Sequence, residues 1–226
     1  MNKKAYATPE YRRIRNLARP FYKDDGANGW AHIQEVRRRA AKMVRRLEGR
    51  ILTPAEYAAV LMHDSTKGDK GSQNHGRLGA LRASHVLAAA LPSEQLAEAV
   101  EAIAVHDDNL PKFPSRTAEL LASADANPPD LDWVLNKSYV WGKNKGLSNQ
   151  QAADRLADPE SKLKKFYGTG GAFNWPGIYK EYYGDRVPQF QKAVAGLDLD
   201  TVHKKLDAYH SKYSIDPDKP RVIHNM

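Results

Sequence analysis

Apolar residues recur at spacings of three and four along most of the 226-residue chain, and this periodicity constrains the fold more than any other feature. The segment 30–48 is a clear example. Its His32, Val36 and Ala40 fall on one side of a helix, whereas its arginines fall elsewhere. Few β-branched runs occur, and no alternating stretch is long enough to indicate a strand. The sequence therefore predicts an all-α protein.

Capping residues mark where several of these helices begin. Residues 53–56, Thr-Pro-Ala-Glu, form a capping box, and the helix that they open carries apolar residues into the adjacent pair His63-Asp64. A polar stretch follows this pair and ends at His75, which opens another helix. Ser93 and Ser115 are predicted to cap two later helices. The His-Asp pair is therefore expected at a helix end, beside a polar loop.

Composition and charge narrow the classes of function. The chain has no cysteine, so any metal must be held by nitrogen and oxygen ligands. A net charge of +8 favours an anionic partner such as a phosphate ester, a nucleotide or a nucleic acid; a solvated helix face is the alternative explanation of the basic runs. Neither a long apolar segment nor an apolar stretch behind the basic N-terminus is present. We expect a soluble, cytoplasmic protein with no membrane partner. Nothing in the sequence indicates an oligomeric state.

The composition changes beyond Leu131, where aromatic residues and lysines crowd the segment 133–183. We therefore predict a compact core over residues 1–130, a helical, aromatic-rich extension packed on it over 131–215, and a flexible tail over 216–226. The interleaved aromatic and lysine side chains suit stacking on nucleic-acid bases, although an aromatic core is the simpler explanation. His203 and His210 on a late helix are expected to face water.

Six ionisable residues lie at or near the ends of apolar stripes on five successive predicted helices. They are His32, His63, Asp64, His75, His106 and Asp125. Burial of a carboxylate is costly unless the group is paired or coordinates a cation. Each histidine taken singly is more simply a structural residue or a partner of a helix dipole. The ordered set instead predicts a site for a divalent ion, Mn, Fe, Co, Ni or Mg, with Zn as a further option.

The order His32, then His63-Asp64, then Asp125, all on helices, resembles the HD-domain superfamily of metal-dependent phosphohydrolases. The resemblance covers roughly residues 28–128. It implies a compact helical bundle in which these four residues bind one divalent metal.

A second metal is implied by the two-metal branch of that superfamily, which includes HD-GYP cyclic dinucleotide phosphodiesterases and CRISPR-associated HD nucleases. In that branch two further histidines between the HD pair and the last Asp serve a second ion. His75, in HGRLGA, and His106, in AIAVHD, match those histidines in kind and order. The alternative is a single metal, with His75 and His106 binding phosphate.

Two basic residues are candidates for substrate binding. Lys67 stands three residues after Asp64 and matches the lysine of the HDxxK pattern, which in that branch faces the substrate phosphate. Several nucleotide pyrophosphohydrolases of the superfamily have an acid there, so the lysine argues against a simple triphosphatase. Arg82, in the helix that His75 opens, is a second candidate phosphate contact, with a surface position as the alternative. Asp69 is expected either to support the site or to be solvated in the loop.

The resemblance implies a phosphohydrolase that cleaves a phosphomono- or phosphodiester bond of a nucleotide or related ester. A bound divalent ion would lower the pKa of water to about 7. Asp64 would help to hold that ion, and Lys67 would offset charge on the phosphoryl oxygens. Three alternatives stay open: an HD-type nuclease on single-stranded DNA or RNA, a diiron oxygenase similar to inositol oxygenase, and a non-catalytic nucleotide-binding module. The resemblance alone does not name a substrate.

Overall fold

The computed structural model of the protein describes residues 6–23, 29–67, 74–126 and 128–222. Over these ranges the regular structure is entirely helical, and no strand occurs in them. The prediction of an all-α protein is confirmed. The spacing of apolar residues explains this result, because it gives most segments one buried helical stripe. None of the helices in these ranges has the length and apolar character needed to cross a membrane.

The chain divides into two compact units. The first is Met1–Ala126 with Asn174–Tyr182, and the second is Asn127–Phe173 with Tyr183–Met226. The segment from Asn174 joins the first unit through hydrogen bonds: its amide donates to the side-chain oxygen of Asn109, and the amide of Gly177 donates to Glu119. Residues 174–182, which the sequence assigned to the extension, thus belong to the first unit.

The helix α3 lies at the centre of the first unit. The helices of this unit are α1 (Pro9–Ala18), α2 (Trp30–Glu48), α3 (Pro54–Met62), α4 (His75–Val86), α5 (Ser93–Val105), α6 (Arg116–Asp125) and α10 (Gly177–Tyr183), whose last residue is counted in the second unit. A short 3-10 turn, Arg19–Phe21, follows α1. Every residue of α3 from Ala55 to Met62 is buried, and α3 contacts α1, α2, α4, α5 and α6. A helix that is apolar on all sides has to occupy the centre of a bundle.

Local hydrogen bonds fix where α3 begins. Thr53 accepts from the amide of Glu56, and the Glu56 carboxylate accepts from the amide of Thr53, so the predicted capping box is present. Arg50 also donates two hydrogen bonds to Glu56, which neutralises this buried acid. Ser115 caps α6 as expected. The prediction for Ser93 is wrong by one position, because the residue is the first of α5 and its side chain makes no capping bond.

The second unit contains α7 (Leu131–Asn144), α8 (Asn149–Ala157), α9 (Lys162–Tyr167), α11 (Arg186–Ala195) and α12 (Leu199–Tyr213). Three of its rings, Phe166, Tyr167 and Phe173, pack against one another with centroids 5.1–5.3 Å apart. Some of the aromatic residues noted in the sequence therefore pack against one another within this unit.

His210 corrects one expectation about the second unit. It is only 5% exposed, and its Nε2 lies 3.0 Å from Oδ1 of Asn136. Burial lowers the pKa of His210, so the ring is neutral at pH 7. Asn136 also donates to the carbonyl of Arg221, in the part of the predicted tail that the structure describes; residues 223–226 of that tail lie outside the described residues.

Candidate metal centre

Helix ends bring all six predicted ligands together in the first unit. His63 directly follows α3 and His106 directly follows α5, while Asp125 is the last residue of α6. His75 is the first residue of α4, and His32 lies in the first turn of α2. Three helices therefore end, and two begin, at one place.

Backbone carbonyls orient two of the imidazole rings. The Nδ1 atom of His63 lies 2.9 Å from the carbonyl oxygen of Val60, and that of His106 lies 2.7 Å from the carbonyl oxygen of Ile103. A carbonyl can only accept a hydrogen bond, so Nδ1 carries the proton in each ring. In a neutral imidazole the other nitrogen then has a free lone pair, which is the form that binds a metal. Both rings thus present Nε2 to the centre.

One side of the centre is formed by His32, His63 and Asp125. Oδ1 of Asp125 lies 3.2 Å from Nε2 of His32 and 3.5 Å from Nε2 of His63. Oδ2 of Asp64 lies 3.5 Å from the first of these nitrogens and 3.6 Å from the second. Two nitrogens and two carboxylate oxygens therefore converge on one point.

The other oxygen of Asp64 faces the remaining two histidines. Oδ1 lies 3.4 Å from Nε2 of His75 and 3.7 Å from Nε2 of His106. The carboxylate of Asp64 therefore lies between two pairs of imidazoles, with one oxygen toward each pair.

These buried polar atoms have no hydrogen-bond partner among the described residues. The set consists of Nε2 of His32, His63, His75 and His106, together with Oδ1 of Asp64. Each buried polar atom left unpaired costs about 1–3 kcal/mol, so five in one place need a common partner. Two groups of three, His32–His63–Asp125 and His63–Asp64–His106, have ligand atoms within 4.8 Å of one another and could hold a metal ion.

The two carboxylates are placed where a cation is favoured. Asp125 ends α6 and Asp64 lies just beyond α3, at the negative ends of those helix dipoles. Burial raises the pKa of Asp64, but His63 and the other imidazoles around the carboxylate outweigh it and hold the pKa well below its usual range. The pKa of Asp125 is lowered for the same reason. Both groups are therefore charged near neutral pH and able to bind a cation.

Two glycines of α4 let its first turns approach the helix ends that carry ligands. A Cβ atom at Gly76 would lie 3.1 Å from the carbonyl oxygens of Ile103 and Ala104 and 3.4 Å from Nδ1 of His106. A Cβ atom at Gly79 would lie 3.1 Å from the carbonyl oxygen of His63. A side chain at either position would require its neighbours to shift by a few tenths of an ångström, close to the contact between His75 and Asp64.

Replacing Gly76 by Ala tests this close packing, because the sign of the change in the free energy of unfolding depends on it. In a helix interior Gly→Ala normally stabilises a protein by up to about 1 kcal/mol. Here we expect a loss of about 1–3 kcal/mol, as in an overpacked core, and weaker metal binding because His75 is displaced. Urea unfolding and metal titration measure both quantities. Ser84→Ala, at a half-buried position of α4, is the control, and a stabilised Gly76→Ala variant would contradict the packing.

The two predicted substrate-binding residues take different positions. Nζ of Lys67 lies 3.0 Å from Oδ2 of Asp64. Burial lowers the pKa of Lys67, but the carboxylates of Asp125 and Asp64 raise it by a larger amount. The net shift of the pKa is upward, so the amine is a cation. Arg82 donates to the carbonyl of Ser65, the residue after Asp64, and its guanidinium lies over the ring of Phe21. Asp69 lies outside the described residues.

Sequence reasoning missed three residues close to the centre. Oδ2 of Asp107 lies 3.7 Å from Nδ1 of His75, which is within ion-pair distance but too long for a hydrogen bond; the second His-Asp dipeptide, at 106–107, was the available signal. Arg39 donates to the carbonyl of Ala126 and holds the end of α6. The buried hydroxyl of Tyr22 approaches the backbone of Asp64 but forms no hydrogen bond of normal geometry. Nothing in the sequence distinguished Tyr22 from a core tyrosine.

Comparisons with known proteins do not assign the chain to a family. No family model matches the chain, and neither a curated protein nor a solved structure gives a significant match.

Proposed function

We propose that the protein is a metal-dependent phosphohydrolase of the HD-domain superfamily, acting on a phosphomono- or phosphodiester bond of a nucleotide or related ester. One observation carries the proposal. The Asp64 carboxylate lies between two pairs of imidazole nitrogens that have no other partner among the described residues, with the Lys67 cation 3.0 Å away. Ligands for a divalent ion and a positive group for phosphate therefore share one place.

The proposed site binds two divalent ions. Support comes from the separate directions of the two Asp64 oxygens, each toward its own histidine pair. Nitrogen and oxygen donors suit Mn, Fe, Co, Ni or Mg, and also Zn. When bound, such an ion supplies hydroxide near neutral pH and polarises a phosphoryl oxygen.

The chain's own residues would supply the remaining requirements. Lys67 would offset negative charge on the phosphoryl oxygens, and Arg82 would add positive charge next to the Ser65 carbonyl. The net charge of +8 favours anionic substrates in general. The arrangement therefore favours phosphoryl transfer to water over chemistry on a neutral substrate.

A metal-by-substrate screen tests the proposal. Chelator-stripped protein is supplied with Mn, Mg, Co, Ni or Fe and assayed with nucleoside mono- and triphosphates, cyclic dinucleotides and short oligonucleotides. We expect metal-dependent cleavage of at least one nucleoside phosphate or cyclic dinucleotide, and the absence of cleavage with every combination would overturn the proposal. Iron-dependent oxygen consumption without hydrolysis would replace it with an oxygenase. Cleavage of oligonucleotides alone, with affinity that falls steeply as salt rises, would replace it with a nuclease.

Replacing Lys67 by Met separates a role in substrate binding from a role in metal binding. Loss of the cation should lower kcat/KM by about 100-fold, a loss of about 2.7 kcal/mol. Metal affinity should stay the same or rise, because a positive charge next to Asp64 is removed. Steady-state kinetics and metal titration measure the two effects. Lys42→Met, at an exposed position of α2, is the control; an active Lys67→Met enzyme would show that Lys67 only neutralises Asp64.

A further inference from the structure

An open groove of about 390 Å³ lies on the first unit between the turn after α1 and one face of α4. Its walls include Phe21, Leu78 and Leu81, which are 36%, 45% and 59% exposed. Arg82 also lines the groove, with its guanidinium 5.0 Å from the centre of the Phe21 ring. Leucines on a surface are ordinary when they are isolated. Here they line one concave space of a size typical of small-ligand sites.

The groove adjoins the candidate metal centre. Thr66, two residues after Asp64, lines it and donates a hydrogen bond to the carbonyl oxygen of His75. Arg82 donates to the carbonyl of Ser65. Tyr22, the neighbour of Phe21, is buried, and its pKa is raised first by this burial and then by the nearby Asp64 carboxylate. A ligand that is bound at the candidate metal centre and extends past the loop after His63-Asp64 would therefore enter the groove.

We infer that this groove binds the base of a nucleotide whose phosphate occupies the metal centre; the inference rests on the proposed function. The ring of Phe21 and the guanidinium over it offer a flat surface, and aromatic rings and guanidinium groups stack on bases. Leu78 and Leu81 are separated by three residues, so both lie on one face of α4. Among the described residues that line the groove none is acidic, which suits an anionic ligand. Apolar walls contact the face of a base rather than its edge, so the groove accepts different bases.

Binding of two phosphonates tests the inference without relying on turnover. One is the phosphonate analogue of adenosine 5′-monophosphate, and the other is ribose 5-phosphonate, which lacks the base. In both, carbon replaces the ester oxygen, so neither can be hydrolysed as an ester. Ligand-observed NMR in Mg²⁺ buffer measures their affinities. We expect the analogue with the base to bind at least about tenfold more tightly, with saturation transfer to its adenine protons.

Leu81→Gln keeps the side-chain size and removes the apolar contact. We expect it to weaken binding of the adenosine analogue about fivefold and to leave ribose 5-phosphonate unchanged. Ile51→Gln is the matched control, because Ile51 is 46% exposed and does not line the groove.

The outcomes distinguish the two proposals. Equal affinities for the two phosphonates, or no effect of Leu81→Gln, would overturn the groove assignment even if the enzyme hydrolyses phosphate esters. Selective binding of the adenosine analogue without any hydrolysis in the metal-by-substrate screen would support the groove and overturn the phosphohydrolase.

Discussion

Replacing Asp64 by Ala is expected to abolish both turnover and metal uptake while the far-UV circular dichroism stays helical. Among the described residues, Asp64 alone has carboxylate oxygens that face both histidine pairs. Its removal takes a charged ligand from each side of the centre, whereas the helices are held by apolar packing elsewhere. A loss of about 4 kcal/mol of transition-state stabilisation lowers turnover by about 1,000-fold. Steady-state kinetics and metal analysis of the purified variant measure the two losses.

Asp108→Ala is the control for this substitution. Asp108 is exposed and belongs to neither group of converging ligands, so activity and metal content should match those of the wild type. Full activity of Asp64→Ala with a wild-type metal content would contradict the proposed centre. An unfolded Asp64→Ala variant is separated from an inactive one by Asp64→Asn, which keeps the volume and loses the charge and should be helical and inactive.

Metal loading is expected to raise the thermal midpoint of unfolding by about 5–10 °C. A ligand that binds the native state alone at 100 times its Kd adds about 2.7 kcal/mol, and each kcal/mol shifts the midpoint by about 2–4 °C in a chain of this size. The physical reason is the set of four Nε2 atoms and one carboxylate oxygen that are buried without a partner among the described residues. Calorimetry in excess Mn²⁺ and in chelator measures the difference.

Two variants make the metal-loading result specific. His63→Gln should lose most of the stabilisation, because it removes a ligand common to both converging groups. His203→Gln, in the second unit, should keep all of it. Equal midpoints with and without each divalent ion would show that these buried groups are satisfied by other means.

Much of the local structure could be predicted because it depends on nearby residues. The capping box at Thr53 follows from contacts within a few positions, and the helix that begins at His75 follows from the spacing of its apolar residues. The same applies to the placement of His63 at a helix end. His210 was misjudged because its partner Asn136 is 74 residues away, and spacing along one helix carries no information about such a partner.

The composition of the candidate site could also be anticipated, whereas its supporting residues could not. Six residues of two types able to bind a metal, four His and two Asp, stand out in a chain without cysteine. Gly76 and Tyr22 do not stand out, because close approach and burial are properties of the packed helices. The role of Asp107 likewise depends on how α4 meets the end of α5.

The sequence by itself determined the helical class and the set of candidate nitrogen and oxygen ligands, since periodicity and residue chemistry are local properties. Only the tertiary structure decided that one oxygen of Asp64 faces His32 and His63 while the other faces His75 and His106. It also decided that a groove with leucine walls lies beside them. Both depend on how separate helices pack, and packing is set by contacts between residues far apart in the chain.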